Sequence, residues 1–409
     1  MVPAPAPARR HLAGRDPPAR RAGGADRRNL AEGAGTLRIG ITCYPVYGGS
    51  GVVGTELGIK LAQRGHEVHF ITYALPFRLP YFQERIYYHE VEVPTYPLFE
   101  HAPYSLALAV AMHSTAVQRK LDLLHVHYAI PHATSAWIAK EMLGRPDFKV
   151  ITTLHGTDIT LVGQDPSYKT ITEFSLRKSD GITAVSEYLR NETVEHFSVP
   201  PESIEVIPNF VDLEQYRRDR YPCHRSKLAL PGEKIVLHIS NFRPVKRVDD
   251  VVRIFARIVR RVPARLVLVG DGPERGRVQA AAEEEGVADR VLFLGKQESV
   301  AELLACADLF LLPSASEAFG LVALEAMACG VPVIATRVGG VPELIPHGGP
   351  GYLAPVGAID EMAEAGIELL RDPVRWKAAS EAARAVAERF SADEMVARYE
   401  AYYEKVRAT

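Results

Sequence analysis

The sequence predicts an α/β protein made of two doubly wound, Rossmann-like domains that face each other across a cleft. Short apolar strands alternate with amphipathic helices from Leu37 onward, and the same alternation restarts at Lys234. Apolar strands separated by helices are typical of a parallel sheet that is covered on both faces. The chain has 409 residues and is 47% hydrophobic, which is enough for two separate cores.

Each half contributes its own set of predicted strands and helices. Strands in the first half are predicted at Leu37–Cys43, Glu67–Tyr73, Leu123–His127, Val150–Leu154, Gly181–Val185 and Glu205–Ile207. Strands in the second half are predicted at Lys234–Ile239, Arg265–Val269, Val291–Leu294, Leu309–Leu312 and Val333–Ala335. Helices are predicted at Val52–Arg64, Val248–Arg261, Arg275–Glu285, Val300–Ala305, Leu321–Cys329 and Asp360–Arg371.

The domain boundaries follow from composition. Residues 1–36 are rich in Ala, Pro, Arg and Gly, so we expect a disordered tail. The two domains are then predicted at 37–209 and 210–388, with the boundary in the charged, proline-containing stretch before Lys234. A last helix within 389–409 carries its tyrosines on one side, and we expect it to pack back across the boundary.

Charge and cysteine content exclude several classes of function. A net charge of −2 provides no general attraction for nucleic acid. No apolar run approaches the ~18 residues of a membrane span, so we expect a cytoplasmic protein without stable membrane insertion. No C-x-x-C pair is present, and the cysteines are predicted to be core residues in a reducing compartment, without a disulfide or zinc site: Cys43, Cys223, Cys306 and Cys329.

A glycine-rich loop precedes the first helix. Gly49-Ser-Gly51-Val-Val-Gly54 matches the dinucleotide pattern G-x-G-x-x-G. The segment Tyr44–Tyr47 separates it from the strand, however, and the second strand ends at Tyr73 without the acid that would hold a ribose. Backbone N–H groups at a helix N-terminus still favour an anion, either a diphosphate or a carboxylate, with Ser50 as a further donor. A glycine turn without a ligand is the alternative.

Two carboxylates flank an apolar turn in the second half. Glu317 follows a strand, and Glu325 lies on the next helix. Such a pair suits hydroxyl recognition, one acid for a ribose and the other for a sugar ring, while the N–H groups of Phe319, Gly320 and Leu321 suit a diphosphate. Alternatives are a helix whose dipole Glu317 complements, and a glycosidase acid–base pair.

A basic motif follows the first strand of the second half. Ser240-Asn241-Phe-Arg243-Pro-Val-Lys246-Arg247 places three cations at a strand's carboxyl end, which favours a phosphate site over a solvated basic turn. Gly270-Asp-Gly-Pro273 also ends a strand, although Asp-Gly alone mostly indicates a turn.

Together these features resemble glycosyltransferase family 4, a retaining family with the GT-B fold. Its E-x7-E hallmark matches Glu317 and Glu325, and the basic motif, the G-D-G-P turn and Gly339-Gly340 agree with it. The resemblance extends from Leu37 to about Tyr403. It implies a UDP-sugar-dependent hexosyltransferase that needs no metal and no cofactor, since the nucleotide sugar is a substrate.

A narrower resemblance concerns one branch of the family. The segments Gly40–Pro45, Gly48–Gly58, His125–His132 and Thr152–Asp158 are similar to enzymes that join UDP-GlcNAc to L-malate in the first step of bacillithiol biosynthesis. This branch has Asn241 where many members carry an arginine.

The resemblance implies a role for each donor-side residue. Lys246 and Arg247 would hold the diphosphate, Glu325 the ribose hydroxyls and Glu317 the sugar C3 hydroxyl. The remaining donor-binding positions would be Gly49, Asn241, Phe319, Gly320 and Leu321.

The resemblance also assigns the acceptor side. Ser50, Tyr128 and Thr153 would hold the malate carboxylates, and His155 would lie near the sugar C6 and the reacting face. The catalytic set would be His155, Lys246, Arg247 and Glu317.

Other functions remain open at this stage. His125, His127 and His132 could suggest a metal site, but their spacing and the lack of a nearby acid favour structural roles. The alternatives are a family 4 enzyme with a lipid or polysaccharide acceptor, a non-catalytic nucleotide-sugar sensor and a Rossmann oxidoreductase. We expect small-molecule substrates and no nucleic acid partner, and homo-oligomerisation is left open.

Overall fold

The computed structural model describes most of the chain, in five ranges: 35–46, 48–79, 82–94, 96–346 and 349–409. The tail predicted to be disordered lies outside these residues, except for its last two positions.

The first domain is built on a parallel sheet. Its described strands are β1 (Arg38–Thr42), β2 (Glu67–Thr72), β3 (Ile86–Glu90), β4 (Leu123–His127), β5 (Lys149–Leu154), β6 (Gly181–Ala184) and β7 (Ile204–Val206). Their order across the sheet is β3-β2-β1-β4-β5-β6-β7. The order reverses between β1 and β4, and in such sheets ligands bind beyond the strand ends at the reversal.

The helices of this domain cover both faces of the sheet. They are α1 (Gly49–Gln63), α2 (Tyr104–Arg119), α3 (Thr134–Leu143), α4 (Thr157–Thr160), α5 (Lys169–Lys178) and α6 (Glu187–His196). On one face, Leu57 and Leu61 of α1 pack against Ile39 and Phe70. On the other face, α2 and α3 pack on the sheet through Leu108, Met112, Ala136 and Ala139.

The second domain repeats this plan. Its described strands are β8 (Lys234–Ile239), β9 (Ala264–Val269), β10 (Val291–Gly295), β11 (Leu309–Leu312), β12 (Val333–Thr336) and β13 (Gly351–Ala354), arranged β10-β9-β8-β11-β12-β13. The helices from the linker onward are α7 (Arg225–Leu228), α8 (Val248–Val259), α9 (Arg275–Glu284), α10 (Ala301–Cys306), α11 (Leu321–Ala328), α12 (Val341–Leu344), α13 (Ile359–Arg371), α14 (Pro373–Glu388) and α15 (Ala392–Arg407). None of the helices in the described ranges combines the length and apolar composition that a membrane crossing requires.

The predicted strands all correspond to observed strands, with ends that differ by a residue or two. Strands β3 and β13 and helices α2 and α14, among other elements, were not predicted from the sequence. Strand β3 has the sequence IYYHE and is only partly buried at the sheet edge, so it lacks the continuous apolar run that marked the central strands.

Helix α15 packs on the first domain although it ends the chain. Tyr399 and Tyr403 are fully buried in the same cluster as Ile39 and Leu57. The Tyr403 hydroxyl lies 2.8 Å from Nδ1 of His125 on β4. The two domains are therefore joined twice, by the linker and by this returning helix.

An ion pair on α15 is expected to make this attachment pH-dependent. The Glu400 carboxylate accepts from Arg64 Nε and Nη2 at 2.9 and 2.7 Å and lies 3.0 Å from His66 Nε2. Burial alone would raise the pKa of Glu400, but hydrogen bonds from His66 and Arg64 lower it from about 4.5 to about 2. A lowered folded-state pKa means that the stabilisation is complete above pH ~4.5 and is lost as the pH falls toward 2.

Glu400→Gln should therefore lower the free energy of unfolding by about 1 kcal/mol near neutral pH. The difference in the free energy of unfolding between the variant and the parent protein should decrease as the pH falls from ~4.5 to ~3. Thermal unfolding measured across this range checks it. Glu404→Gln is the matched control, because in the described part of the chain the Glu404 carboxylate pairs only with Arg407 on the same helix. A gap that stays constant with pH would show that the carboxylate charge is not the cause.

The structure corrects the expectation for the cysteines. Cys223 in the linker and Cys306 at the end of α10 form a disulfide, with their Cα atoms 5.4 Å apart. They are 83 residues apart in sequence, and only the tertiary fold brings them together. Cys43 and Cys329 are free and buried, as expected, and burial raises the pKa of each thiol to about 12.

Candidate active site

Loops at the carboxyl ends of the two sheets meet in the structure. The Ser186 hydroxyl, after β6, donates to the carbonyl of Ala318 at 2.7 Å. The carboxylate of Glu343 accepts from the backbone N–H groups of Glu187 and Tyr188, at the start of α6, at 2.9 and 2.8 Å. These contacts hold the two strand-end surfaces together along one side of the cleft.

The loops also approach each other closely at Gly156. This glycine has φ +121°, in the left-handed region, and a Cβ placed on it would lie 2.6 Å from the Cβ of Ala318. Any larger residue would push the domains apart here. The contact places the neighbouring residues, His155 of the first domain and Glu317 of the second, on opposite walls of the same narrow gap.

The acidic and basic motifs of the second domain form one unit. Lys246 Nζ lies 2.6 Å from Glu317 Oε1, and the Ser314 hydroxyl donates to the same oxygen at 2.8 Å. The backbone N–H of Ala315 donates to the carbonyl of Val245, which ties the two loops together. Lys246 and Glu317 retain 23% and 12% of their side-chain exposure, so both remain accessible from the cleft.

Arg247 stands beside this pair at the N-terminus of α8. Its backbone adopts the left-handed region, with φ +48°, and its Nε donates to Asp250 Oδ2 at 2.6 Å. The Asp250 side chain is almost fully buried and holds the Arg247 guanidinium on one side. The rest of the guanidinium remains accessible to solvent.

Helix α11 presents an uncapped N-terminus. Gly320 occupies the cap position with φ +94°, and no side chain caps the helix there. Phe319 is 3% exposed, and its ring packs against Phe390 at a centroid distance of 5.6 Å. Phe319 can therefore contribute only its backbone to a ligand, whereas the N–H groups from Leu321 onward suit a phosphate.

The glycine motifs of the second domain are required by close packing. A Cβ on Gly270 or Gly272 would lie 1.8 or 2.1 Å from the carbonyl oxygen of Ser240 or Asn241. A Cβ on Gly339 would lie 1.9 Å from the carbonyl oxygen of Glu317. The absence of a side chain at these glycines thus allows the backbones of the basic and acidic loops to pack directly against them. Among the described residues, Asn241 Oδ1 is buried without a hydrogen-bond partner.

The second acid of the pair, Glu325, has partners that the sequence analysis missed. Its Oε1 accepts from Arg78 Nη1 at 3.0 Å and from the Tyr216 hydroxyl at 2.7 Å. Arg78 belongs to the first domain and Tyr216 to the linker. These residues lie 247 and 109 positions from Glu325, and no local pattern could have linked them.

The first domain contributes a group of hydroxyls beside the N-terminus of α1. Gly48 is the cap residue of α1, and no side chain caps this helix. The Tyr128 hydroxyl lies near the side chains of Ser50 and Thr157. Burial raises the pKa of Tyr128, whereas the positive charge of Arg243, from the second domain, acts in the opposite direction. No role was predicted for Thr157, although the segment Thr152–Asp158 includes it; it is the first residue of α4, beyond the end of β5.

His155 is held in place by the first domain. Its Nε2 lies 2.8 Å from His127 Nδ1, and its ring stacks on Tyr128 at a centroid distance of 5.7 Å. Asp158 accepts from the N–H groups of His155 and Gly156, which fixes the loop. Burial lowers the pKa of His155, so its imidazole is neutral near pH 7.

The structure contradicts the acceptor role predicted for Thr153. This side chain is fully buried, and its hydroxyl is bonded to His125 Nε2 at 2.7 Å and to the Thr183 hydroxyl at 2.6 Å. Its neighbour Tyr399 lies on α15, beneath the sheet. The strand-end position is as expected, but the side chain points away from the cleft.

The histidines of β4 serve the interior. His125 is hydrogen-bonded to Tyr403 and Thr153, and His127 is hydrogen-bonded to His155. The side chains of His125 and His127 are fully buried. In the described part of the chain, three potential metal-ligating side chains converge only on the surface of α6, at Glu192, Glu195 and His196. That group lies apart from the cleft.

Two family models match the chain in succession. The model for Glycosyltransferase Family 4 matches residues 47–215, and that for Glycosyl transferases group 1 matches residues 222–386. The chain is also 53% identical, over 91% of its length and 98% of the relative's, to N-acetyl-alpha-D-glucosaminyl L-malate synthase of Bacillus anthracis. The chain belongs to glycosyltransferase family 4.

Further family 4 relatives and solved structures agree with the fold. D-inositol 3-phosphate glycosyltransferase of Segniliparus rotundus is 33% identical over 68% of this chain and 66% of its own. The structure of Anabaena HepE in complex with UDP-glucose has a TM-score of 0.76 at 22% identity, covering 90% of this chain and 99% of its own. Sucrose-phosphate synthase from Thermosynechococcus elongatus has a TM-score of 0.75 at 23% identity, covering 91% and 99%. The two facing parallel sheets form the GT-B fold of this family.

Proposed function

We propose that the chain transfers N-acetylglucosamine from UDP-GlcNAc to the hydroxyl of L-malate, with retention at the anomeric carbon. The synthase of Bacillus anthracis supports the transferred sugar and the acceptor, because its name states an N-acetyl-D-glucosaminyl group and L-malate and its similarity to this chain extends over almost its whole length. The reaction would open bacillithiol biosynthesis.

The donor half of the proposal rests on the second domain. Lys246, Arg247 and the N-terminus of α11 offer positive potential for a diphosphate. Glu317, held by Lys246, would accept from the sugar C3 hydroxyl, and Glu325 from the ribose. Gly49 at the α1 N-terminus and Asn241 beside the basic loop complete this side.

The observation that carries the acceptor half is a cluster of three side-chain hydroxyls, those of Ser50, Tyr128 and Thr157. It lies at an uncapped helix N-terminus, with Arg243 approaching from the second domain. Malate is a dianion, and a pocket with several O–H and N–H donors and a nearby cation matches its two carboxylates. An apolar acceptor would leave these donors unpaired, which costs affinity.

To retain the configuration at the anomeric carbon, the malate hydroxyl would attack from the same face as the leaving group. The malate hydroxyl oxygen forms the new bond to the anomeric carbon while the bond from that carbon to the β-phosphate oxygen breaks. UDP departs with the electron pair, and the malate proton passes to a β-phosphate oxygen. Lys246 and Arg247 offset the charge that develops on the diphosphate. The neutral His155 donates a hydrogen bond near the sugar without adding a charge.

An acceptor panel tests this proposal. UDP release from UDP-GlcNAc should be fast with L-malate and absent with succinate, which has no hydroxyl to attack. Inositol 3-phosphate should react poorly, because its phosphate and bulky ring do not match two carboxylate sites. Equal turnover with inositol 3-phosphate, or none with L-malate, would refute the acceptor assignment.

Thr157→Val sharpens the test of the pocket. Removing a hydroxyl that binds a carboxylate should raise the KM for malate about tenfold while leaving the KM for UDP-GlcNAc unchanged. Thr170→Val is the control, since Thr170 is exposed on α5 and is not part of the cluster of hydroxyls. An unchanged KM for malate in Thr157→Val would remove Thr157 from the acceptor site.

A further inference from the structure

A buried ion pair joins the domains beside the proposed donor site. Arg78 and Glu325, 3.0 Å apart, retain only 13% and 5% of their side-chain exposure. The pair lines a small pocket together with Glu56 of α1 and Tyr216 of the linker. A charge pair with so little solvent needs close hydrogen bonding to offset its desolvation, so its geometry is well determined.

The backbone at Arg78 is held in an unusual conformation. Its φ is +69°, in the left-handed region that non-glycine residues seldom adopt. The turn that contains it is closed by a hydrogen bond from the N–H of Leu79 to the carbonyl of Pro76. Such strain persists only where the surroundings enforce it, and it occurs often at functional sites. Here the turn sends the Arg78 side chain out of the first domain and onto Glu325.

The two donors act on the same oxygen of Glu325. Arg78 Nη1 and the Tyr216 hydroxyl both donate to Oε1, and neither donates to Oε2. A carboxylate offers about four acceptor positions. Occupying Oε1 from two directions fixes the plane of the group and leaves Oε2 to accept from a ligand.

We propose that Arg78 is a positioning residue, which orients Glu325 to accept hydrogen bonds from the ribose hydroxyls of the nucleotide. This inference rests on the donor site proposed above and deepens it. Because Arg78 comes from the first domain, the nucleoside would be recognised fully only when the domains are closed. Recognition of the donor is thereby coupled to assembly of the acceptor pocket.

Removing the Arg78 charge has a defined consequence. Glu325 would then share its pocket with Glu56 without a cation between them. Burial already raises the pKa of Glu56, and Arg78 opposes that rise. Without Arg78, the Glu325 carboxylate would be free to rotate away from its present orientation, and the ribose would lose an oriented acceptor.

Calorimetric titration with UDP and with 2′-deoxy-UDP tests the proposal. The parent protein should bind UDP about tenfold more tightly than the deoxy analogue, because one hydroxyl bonds to a charged acceptor. Arg78→Gln should weaken UDP binding about tenfold and deoxy-UDP binding little, so that the preference disappears. Arg78→Lys should retain part of it. Arg85→Gln is the control, since Arg85 also has a positive φ but its guanidinium donates to the carbonyl of Gly65 at an exposed position.

Three results would overturn the proposal. Equal weakening of both nucleotides in Arg78→Gln would indicate a general structural role, and tighter UDP binding would indicate that Arg78 blocks the ribose site. A parent protein that does not distinguish the nucleotides would show that Glu325 does not read the ribose.

Tyr216→Phe provides a second variant if Arg78→Gln does not fold. It removes one donor to Oε1 without changing the charge, and a smaller loss of the same preference is expected. Neither acceptor nor sugar is present in these titrations. Failure to transfer to malate would therefore leave this test intact.

Discussion

Replacing Lys246 with alanine should lower kcat/KM for UDP-GlcNAc by about 10²–10³-fold, the usual cost of removing a group that stabilises developing charge. Lys246 Nζ lies 2.6 Å from Glu317, and its loss would remove both the proposed diphosphate contact and the anchor of that carboxylate. Steady-state UDP release measures the effect. Most of the loss should appear in kcat, because the charge on the leaving diphosphate grows as the bond breaks.

Two comparisons isolate the role of this cation. Lys246→Arg keeps the charge and should retain part of the activity, although its planar group fits the Glu317 contact less well. Lys234→Ala removes a lysine from the opposite end of strand β8 and should leave turnover unchanged. Activity of Lys246→Ala within about twofold of the parent would contradict the diphosphate assignment, since removal of such a contact costs far more.

Gly156→Ala should reduce kcat/KM by about 10–100-fold, because correct closure of the cleft is required to align the substrates. The new Cβ would lie 2.6 Å from the Cβ of Ala318, and the left-handed backbone at φ +121° adds strain. The added methyl group would separate the loops that carry His155 and Glu317, the two residues proposed to contact the sugar. Activity with saturating substrates checks the effect.

Strain and domain contact can be separated by two further variants. Gly65→Ala carries a comparable backbone conformation, φ +105°, with nothing within 4 Å of the new Cβ, so it should cost stability but not activity. Ala318→Gly, combined with Gly156→Ala, removes the opposing Cβ and should restore part of the lost rate. An equal loss of activity in Gly65→Ala, or no recovery in the double variant, would show that the interdomain contact is not the cause.

The central strands and the donor motifs could be predicted because their signals are local. Strands such as Leu309–Leu312 are continuous apolar runs, and Glu317, Glu325, Lys246 and Arg247 belong to motifs of fixed spacing. The structure adds a reason for the glycine motifs, which support these loops at backbone contact distance.

The parts that could not be predicted depend on tertiary approach or on side-chain direction. Arg78 meets Glu325 only because the domains face each other, and Cys223 meets Cys306 only because the linker crosses the second domain. Thr153 was placed correctly at the end of a strand, but its hydroxyl points toward α15. Thr157, the first residue of α4, lies beside Tyr128 instead.

The central claim is transfer of N-acetylglucosamine to the malate hydroxyl with retention. The most direct measurement is the NMR spectrum of the product formed by the purified chain from UDP-GlcNAc and L-malate. We predict a single glycoside, linked through the malate hydroxyl carbon and α at the anomeric centre, as in the donor. A β linkage, a sugar ester on a malate carboxylate, or release of free N-acetylglucosamine alone would contradict it.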